Sequence, residues 1–434
     1  MRRAAPPRDG AAMSAAPRLA ALGALAADLA DCREELVVEI VRTLHKIVRV
    51  ARGEVDLALR RLHAFEQVLP RLAGRAPAGG VALCLPGNAA LSNPVATIGT
   101  AFLAGNRVLA RFPAASRAWA ERLEPLFTRR LPGVRFDRRP GPEFLAAALA
   151  DPEIAVVMVF GDDAWVAAHE DRVRASGKKV IFEGPGKDPF LVLPGADLER
   201  AAQDAVRGGY YDAGQACTSP ERFYVHASLF ADFVGRVLEL TAAEVVGEPR
   251  REEVTVGPIA RRRVVERIAG QLREAEAAGA RRLAGGRLES SRLRDGTPVT
   301  YVQPTVLTGV DSRLSIMRDE TFGPVIPIQA VSGVEEALRL AGDSRYGLAA
   351  NVYGGPEEAA AELATSHGGV FRDEIWLSYF SRNLHAPYGG RRRSGWVWEW
   401  RDGRFDRREG PRTNALEFSR PHASTGTGET APHA

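Results

Sequence analysis

Cysteine is scarce in this chain of 434 residues, which contains only Cys32, Cys84 and Cys217. Three scattered thiols are too few for a disulfide framework or a four-ligand zinc site, so no metal is expected. The scarcity favours a reducing compartment, and we expect a cytoplasmic protein. No apolar run is typical of a secretory signal or a membrane span, since the Ala-rich stretch 19–30 contains Asp28. The sequence therefore predicts no membrane partner.

Lysine is also rare. Of the 58 basic residues, all but Lys46, Lys178, Lys179 and Lys187 are arginine. The 54 acidic residues are interspersed among them, and the net charge is only +4. Such mixing does not produce the one-sided basic surface that binds nucleic acid, so no nucleic-acid partner is expected.

The apolar residues, 45% of the chain, are arranged as in an α/β protein. Between residues 17 and 72 they recur every three or four positions, which indicates helices with one buried stripe. From 81–85 onward, short apolar runs alternate with helical segments of about 10 to 15 residues. This alternation predicts a doubly wound parallel sheet, with ligands beyond the C-terminal ends of its strands.

A second α/β region follows from about residue 186, and the chain closes with a strand-like segment and a polar tail. The expected strands are 81–85, 107–111, 154–160, 179–182, 190–193, 222–225, 302–307, 325–331 and 412–418. The expected helices after residue 72 are 94–104, 115–130, 163–176, 197–211, 228–243, 260–278 and 334–341.

Three side chains stand where chemistry can occur. Cys217 lies on a Gly-led loop before a strand, where it is either a reactive thiol or an inert buried one. Glu183 ends the strand 179–182 and is either a general base or a solvated loop carboxylate. Asn88 follows the strand 81–85, where its amide could hold an oxyanion or serve an ordinary Pro-Gly-Asn turn.

Several motifs agree in order and spacing with those of one family. They are Glu183-Gly184-Pro185-Gly186-Lys187, Gly214-Gln215-Ala216-Cys217, Asp319-Glu320-Thr321-Phe322-Gly323-Pro324-Val325, Tyr346-Gly347-Leu348-Ala349-Ala350, and Tyr388-Gly389-Gly390 with Ser394-Gly395. On these motifs the chain resembles the aldehyde dehydrogenase superfamily over about 35–418, as a shortened and divergent member. The resemblance implies oxidation of an aldehyde to a carboxylic acid, with NAD or NADP as the acceptor.

The resemblance also implies roles for particular residues. Cys217 would be the nucleophile that forms a thiohemiacetal and then a thioester. Asn88 and the Cys217 backbone N–H would hold the oxyanion. Glu183 would activate the hydrolytic water, and Glu399 matches the family's second acid.

The same comparison implies the cofactor contacts. Arg111 would meet the adenosine ribose, and Gly161 leads into a helix whose N-terminus would face the pyrophosphate. Glu320 would hold the nicotinamide ribose, while Phe322 flanks the nicotinamide ring. Ala114 replaces the glutamate of enzymes strict for NAD, so we expect NADP to be tolerated.

Two substitutions alter the implied substrate tunnel. Gly87 occupies the place of a tryptophan and Tyr388 that of a phenylalanine, which predicts a wider and more polar entrance. Arg382, Arg391, Arg392 and Arg393 are expected near its mouth. They are either solvated surface charges or a means of recruiting an anionic aldehyde.

The resemblance divides the chain into segments. These are a disordered leader (1–16), N-terminal helices with the Rossmann-like cofactor domain (17–185), a catalytic domain (186–393), a return to the cofactor domain (394–410), an oligomerisation strand (411–420) and a disordered tail (421–434). The strand would add to a neighbour's sheet, and we expect a homodimer.

Two alternatives remain open. A CoA-acylating enzyme or acyl-thioester reductase would share the cysteine but release its thioester to a thiol, a reaction that does not need Glu183. A catalytically silent relative that acts as a binding subunit is suggested by departures from the family pattern at Thr97, Asp162 and Pro185.

Overall fold

The computed structural model describes residues 14–162 and 167–421. Its described strands are β1 (Arg75–Pro77), β2 (Gly80–Cys84), β3 (Arg107–Arg111), β4 (Val134–Asp137), β5 (Ile154–Phe160), β6 (Lys179–Glu183), β7 (Asp188–Val192), β8 (Pro220–His226), β9 (Arg281–Ala284), β10 (Leu288–Arg292), β11 (Pro298–Val302), β12 (Thr305–Thr308), β13 (Val325–Val331), β14 (Tyr346–Gly347), β15 (Ala349–Tyr353), β16 (Gly369–Arg372), β17 (Arg391–Arg392), β18 (Gly395–Arg401), β19 (Arg404–Arg408) and β20 (Ser419–Pro421).

Helices cover both larger sheets. The α-helices are Ala15–Asp31, Arg33–Leu44, Val48–His63, Leu69–Leu72, Ser92–Leu103, Arg117–Arg130, Gly141–Ala150, Glu170–Ser176, Leu198–Tyr210, Phe230–Ala242, Arg262–Ala277, Ser315–Arg318, Val334–Gly342, Glu358–Ser366, Trp376–Arg382 and Asn414–Glu417. In the part of the chain that the structure describes, none of these is long and apolar enough to cross a membrane.

The first large sheet has seven strands in the order β19-β18-β6-β5-β2-β3-β4. The strands from β6 to β4 are parallel, and β18 and β19 extend the sheet antiparallel. From β2 the chain first builds β3 and β4 on one side and then returns to place β5 on the other. The strand order therefore reverses between β2 and β5, which is where a doubly wound sheet opens a ligand crevice.

The second large sheet has the order β16-β15-β7-β8-β13-β12-β9 and is parallel except for β9. Its central strands β7 and β15 are buried at every position. Phe190 packs between Phe223 and Tyr353, with ring centroids 5.2 and 4.8 Å away. The predicted α/β class with parallel sheets is confirmed.

The N-terminal helices bury the stripe that their spacing predicts. Leu22, Leu25 and Leu29 face the core from the first helix, and helix Arg33–Leu44 buries Leu36 and Ile40. The first helix begins at Ala15, so the expected leader 1–16 overlaps it, and residues 1–13 lie outside the described part.

Two predicted strands are wrong. The expected strand 302–307 is split between β11 and β12 at Pro304, which has no N–H to donate to a ladder. The expected strand 412–418 contains the helix Asn414–Glu417, which buries Ala415 in the N-terminal core together with the following Phe418. The strand comes afterwards as β20 and pairs antiparallel with β1 of the same chain.

Parts of two expectations lie outside the described residues. Of the helix expected at 163–176, the structure describes Glu170–Ser176 but not 163–166. The tail expected at 421–434 is described only at Pro421, which belongs to β20.

Candidate active site

The loop that carries Cys217 has an unusual backbone. After helix Leu198–Tyr210, Asp212, Ala213 and Gly214 have φ values of 51°, 57° and 73°, in the left-handed region that is costly for the first two. Asp212 is held there by a buried ion pair with Lys46. A Cβ on Gly214 would collide with the Gly323 carbonyl. The loop therefore packs directly on the motif that contains Phe322.

The motif after β6 packs on the other side of the same loop. A Cβ on Gly186 would collide with the Cys217 carbonyl oxygen, so only glycine allows this approach. Ser394 Oγ donates to the Pro185 carbonyl at 2.6 Å and accepts from the Gly347 N–H at 3.0 Å. The motifs that are scattered in the sequence thus meet around Cys217.

A buried acid that the sequence analysis missed joins two of these motifs. Glu221 accepts from Lys187 Nζ at 2.8 Å and from the N–H groups of Thr321 and Phe322 at 2.7 Å each. This network holds Phe322 at a φ of 57°. A glutamate at the start of a buried strand, β8, is the signal that could have identified it, because a buried acid needs partners.

The Cys217 thiol lies at the wall of a cavity of about 380 Å³. Its sulfur is 3.5 Å from the hydroxyl of Tyr388, which lines the same cavity. Burial raises the pKa of Cys217 to about 12. The thiol is therefore protonated at neutral pH in this state, and attack requires a base or a positive charge brought to the site.

Asn88 contacts the cysteine loop at the cavity wall. Its Nδ2 donates to the Gln215 carbonyl at 3.1 Å, and Asn88, Ala216 and Cys217 all line the cavity. A side-chain amide has a second N–H. The position suits a donor to an oxygen on a carbon bound to Cys217.

Glu183 is 3% exposed at the end of β6 and forms an ion pair with the equally buried Arg412. Its other oxygen, Oε2, has no hydrogen-bond partner among the described residues. Burial outweighs the opposite effect of Arg412 and raises the pKa of Glu183 to about 7. Such a carboxyl can accept a proton near neutral pH.

The structure does not bring Glu399 to Cys217. In the antiparallel ladder Gly395 pairs with Glu183, and Glu399 lies four residues further along β18, about 13 Å away. Glu399 instead forms ion pairs with Lys179 and Arg408. It belongs to a charge network at the far end of the strand.

Two of the expected cofactor residues, Gly161 and Arg111, lie at the C-terminal ends of first-sheet strands. Gly161 is exposed at the end of β5, beside the reversal of strand order, although the helix start expected after it falls on the undescribed residues 163–166. Arg111 ends β3 and donates to the Arg139 carbonyl at 3.1 Å. Glu320 is 3.7 Å from Arg267, and burial, then Glu221, raises its pKa to about 8. An exposed glycine at the end of β5, beside the reversal of strand order, suits the approach of a dinucleotide.

The expected widening at Gly87 is not seen, because Gly87 does not line the cavity, although the adjacent Asn88 and Ala89 do. The Arg261 guanidinium would be 2.6 Å from a Cβ at position 87, and its carbon also lies 5.9 Å from the Phe322 ring centre. An arginine from the second region therefore takes the space that the missing side chain leaves.

The arginines around the cavity are not those that the sequence suggested. Arg382 pairs with Glu374, and Arg391 and Arg392 donate to backbone carbonyls. The cavity is lined instead by Arg60, Arg61, Arg71, Arg207 and Arg412. No group of three His, Cys, Asp or Glu side chains arranged to hold a metal occurs in 14–162 or 167–421.

Two largely parallel sheets, a crevice at the strand reversal and a loop cysteine at a cavity are typical of a dinucleotide-dependent oxidoreductase that uses a thiol. The model of the aldehyde dehydrogenase family matches residues 2–404. The chain belongs to this family, whose members are NAD(P)-dependent oxidoreductases acting on aldehydes.

Individual relatives agree with this assignment. The chain is 29% identical over 395 residues to 3-sulfolactaldehyde dehydrogenase of Priestia aryabhattai, an alignment that covers 85% of this chain and 80% of the relative. It is 35% identical over 249 residues to the succinate semialdehyde dehydrogenase Sad of Escherichia coli, covering 57% of this chain and 52% of the relative. The crystal structure of HpcC from Thermus thermophilus is 29% identical, with a TM-score of 0.81 over 94% of this chain and 81% of that one.

Proposed function

We propose that this aldehyde dehydrogenase oxidises short aldehydes that carry a second, anionic group, and releases them as acids. One observation carries the proposal. Four arginines that line the Cys217 cavity, Arg60, Arg61, Arg71 and Arg207, form no ion pair among the described residues. An aldehyde with a carboxylate or sulfonate would supply the missing negative charge.

Each of these arginines donates only to an uncharged oxygen. The acceptors are Ser381 O at 2.9 Å for Arg60, Ser92 O at 2.7 Å for Arg61, His385 O at 2.7 Å for Arg71 and Ser378 Oγ at 3.2 Å for Arg207. The acids in the lining are engaged elsewhere, since Asp212 pairs with Lys46 and Glu54 accepts the N–H groups of Leu91 and Ser92. The cavity therefore has an excess of positive charge, which attracts anions.

The named relatives support the same substrate class. Their names specify succinate semialdehyde, 3-sulfolactaldehyde and α-ketoglutaric semialdehyde. Each of these compounds has an aldehyde at one end and a carboxylate or sulfonate at the other.

In the first chemical step the Cys217 thiol gives up its proton to solvent, and its sulfur forms a bond with the aldehyde carbon. The carbonyl oxygen gains negative charge, and the second Asn88 N–H and the Cys217 backbone N–H donate to it, for about 3 kcal/mol per donor. The bound cofactor supplies the hydride acceptor, and we place Glu320 and Phe322 beside its nicotinamide half. The loss of hydride leaves a thioester on Cys217.

Glu183 acts in the second step. Its Oε2 takes a proton from a water molecule that attacks the thioester carbon, the C–S bond breaks, and the acid and the thiol are released. General-base assistance of this kind contributes about 10²- to 10⁴-fold. A pKa of about 7 leaves the carboxyl able to accept the proton and to give it up again.

The CoA-dependent alternative has one observation in its favour, because Arg412 engages one oxygen of the base. An aldehyde panel with NAD and NADP, each with and without CoA, separates the two. Acid formation with an anionic aldehyde and without CoA supports our proposal. Cofactor reduction only when CoA is present would reject hydrolysis.

Two secondary expectations remain proposals. We keep a cytoplasmic location, suggested by the scarce cysteines, all three of which are free. We also keep a homodimer, although β20 pairs with β1 of its own chain and so the expected arm strand is used internally. Light scattering after gel filtration tests the assembly.

A further inference from the structure

We propose that the Arg61 guanidinium binds the distal anionic group of the aldehyde and so determines substrate specificity. This inference rests on the proposed function, because it assigns one residue to the recognition that the proposal requires.

Arg61 lies on the cavity wall between Asn88, the proposed oxyanion donor, and the N-terminal helices. It lies near the end of helix Val48–His63 and donates from Nη1 to the carbonyl of Ser92, the first residue of helix Ser92–Leu103. Asn88 precedes Ser92 by four residues, and Arg61, Asn88 and Cys217 line one cavity. Arg61 and Cys217 therefore face the same cavity, and we infer that a substrate bound at Cys217 extends toward Arg61.

The guanidinium has unused hydrogen-bonding capacity. Its Nε is buried and has no hydrogen-bond partner among the described residues. A buried donor without an acceptor costs free energy, and a carboxylate or sulfonate with two oxygens matches the forked N–H groups of arginine. Glu54 is the nearest charge of opposite sign that affects the Arg61 pKa, but its carboxylate caps the helix at Leu91 and Ser92.

The other cavity arginines are less suited to this role. Arg60 and Arg207 are exposed, where water screens their charge, and Arg412 is already paired with Glu183. Arg71 holds the His385 loop through its bond to the His385 carbonyl. Arg61 and Arg412 both line the cavity with a buried Nε that has no partner among the described residues, but the charge of Arg412 is already paired with Glu183, which leaves Arg61 for the anion.

The surroundings of Arg61 hold its helix end in place without competing for the anion. His385 Nε2 donates to the Arg61 carbonyl at 3.1 Å, and the imidazole lies 4.7 Å from the Phe65 ring. Burial lowers the pKa of His385 to about 4, so the ring is neutral at pH 7. The Arg61 guanidinium stays charged there, because burial lowers its pKa only to about 10.

The test compares Arg61→Met, Arg61→Lys and the control Arg49→Met in the full-length protein. Arg49 is an exposed arginine on the same helix that does not line the cavity. The substrates are succinate semialdehyde and butanal, which have the same carbon number and differ in the carboxylate. We expect Arg61→Met to raise KM for succinate semialdehyde about 10- to 100-fold and to leave kcat/KM for butanal within about threefold.

A binding measurement supplies a readout independent of turnover. Calorimetric titration with succinate should show an affinity about 10- to 100-fold weaker for Arg61→Met than for the parent and Arg49→Met proteins. Arg61→Lys keeps the charge but loses the fork, and we expect an intermediate loss of about 3- to 10-fold. If Arg61→Met does not fold, as judged by thermal unfolding, the titration of Arg61→Lys decides.

The outcomes separate the two proposals. If the parent protein prefers succinate semialdehyde and Arg61→Met keeps that preference, Arg61 is not the anion site, while the proposed function stands. If the parent oxidises butanal as efficiently as succinate semialdehyde, the anionic substrate class is rejected, and the role of Arg61 with it. An unchanged succinate affinity in Arg61→Lys, where only that variant folds, also rejects the role.

Discussion

Two regions around Cys217 are built differently. On the reaction side, the region that packs behind the cysteine loop, Lys187, Glu221 and the Thr321 and Phe322 N–H groups satisfy one another. On the substrate side, Arg61 and its neighbouring arginines donate to neutral oxygens only. The Glu221 network is satisfied without a ligand, whereas the arginines of the substrate side lack a negative charge. We infer that the first fixes the reaction and the second selects the molecule that undergoes it.

The largest expected effect concerns the reaction side. Cys217→Ser replaces the nucleophile with a hydroxyl that is far harder to ionise, and we expect kcat/KM to fall by about 10³-fold or more. Calorimetric binding of succinate should change by less than about threefold, because the substrate-side arginines are untouched. Cys32→Ser, at a free thiol that does not line the cavity, is the control. Equal activity of Cys217→Ser and the parent would show that Cys217 is not the nucleophile.

The packing between motifs gives the next prediction. Gly214→Ala places a methyl group against the Gly323 carbonyl at a φ of 73°, and we expect a loss of about 2–4 kcal/mol of unfolding free energy together with most activity. Gly235→Ala, in helix Phe230–Ala242 with open space around it, should instead stabilise the protein by about 0.5–1 kcal/mol. Chemical denaturation measures both. A neutral Gly214→Ala would mean that the two motifs are not rigidly joined.

The sequence revealed the reaction side better than the substrate side for a physical reason. Close backbone contacts require glycine at particular positions, such as Gly186 and Gly214, and these leave short motifs that can be recognised along the chain. Arg61 has no such signature, because its role depends on the contact between two helices whose residues are about thirty positions apart. Arg412 was hidden for the same reason, since it approaches Glu183 from a segment that was expected to be a strand.

Glu399 shows the opposite failure. Its spacing after Gly395 matched the family pattern, yet the strand register carries it away from Glu183. The alternation of side chains along a strand determines which face of the sheet a residue occupies. How far that residue lies from the site depends on which residues of the two strands are paired. The sequence predicted the strand elements near the site well, including β3, β5 and β13, because uninterrupted apolar runs mark buried parallel strands.

The ion pair of Glu183 connects the two regions, because its partner Arg412 lines the Cys217 cavity. Arg412 opposes the effect of burial on the Glu183 pKa, so Arg412→Met should raise that pKa further above about 7. The base must be deprotonated to act, and activity that rises with pH through about 7 in the parent should rise only at higher pH in the variant. We expect about 10-fold lower kcat at pH 7 and recovery above pH 8.

The pH profile of kcat distinguishes this from a loss of structure. Arg404→Met, at an exposed position on β19, is the control and should keep the parent profile. A uniform fall of kcat at all pH values in Arg412→Met would show that the ion pair supports the fold and does not tune the base.

The smallest expected effect concerns the cofactor crevice. It tests whether the crevice selects its cofactor by charge, as we propose that the arginines of the substrate side select the aldehyde. Ala114 begins the turn Ala114–Ser116, three residues after Arg111 at the end of β3. Ala114→Glu would add a carboxylate where a ribose 2′-phosphate is expected, and we predict that the dissociation constant for NADPH rises about 5- to 10-fold while that for NADH changes by less than twofold. Fluorescence titration with NADPH and NADH measures both, and Ala114→Gln separates charge from size. An equal loss of affinity for the two cofactors would show that the ribose 2′ position does not lie near Ala114. Cofactor selection in the crevice would then depend on shape, as the packing around Cys217 does, and not on charge, as we propose for the arginines of the substrate side.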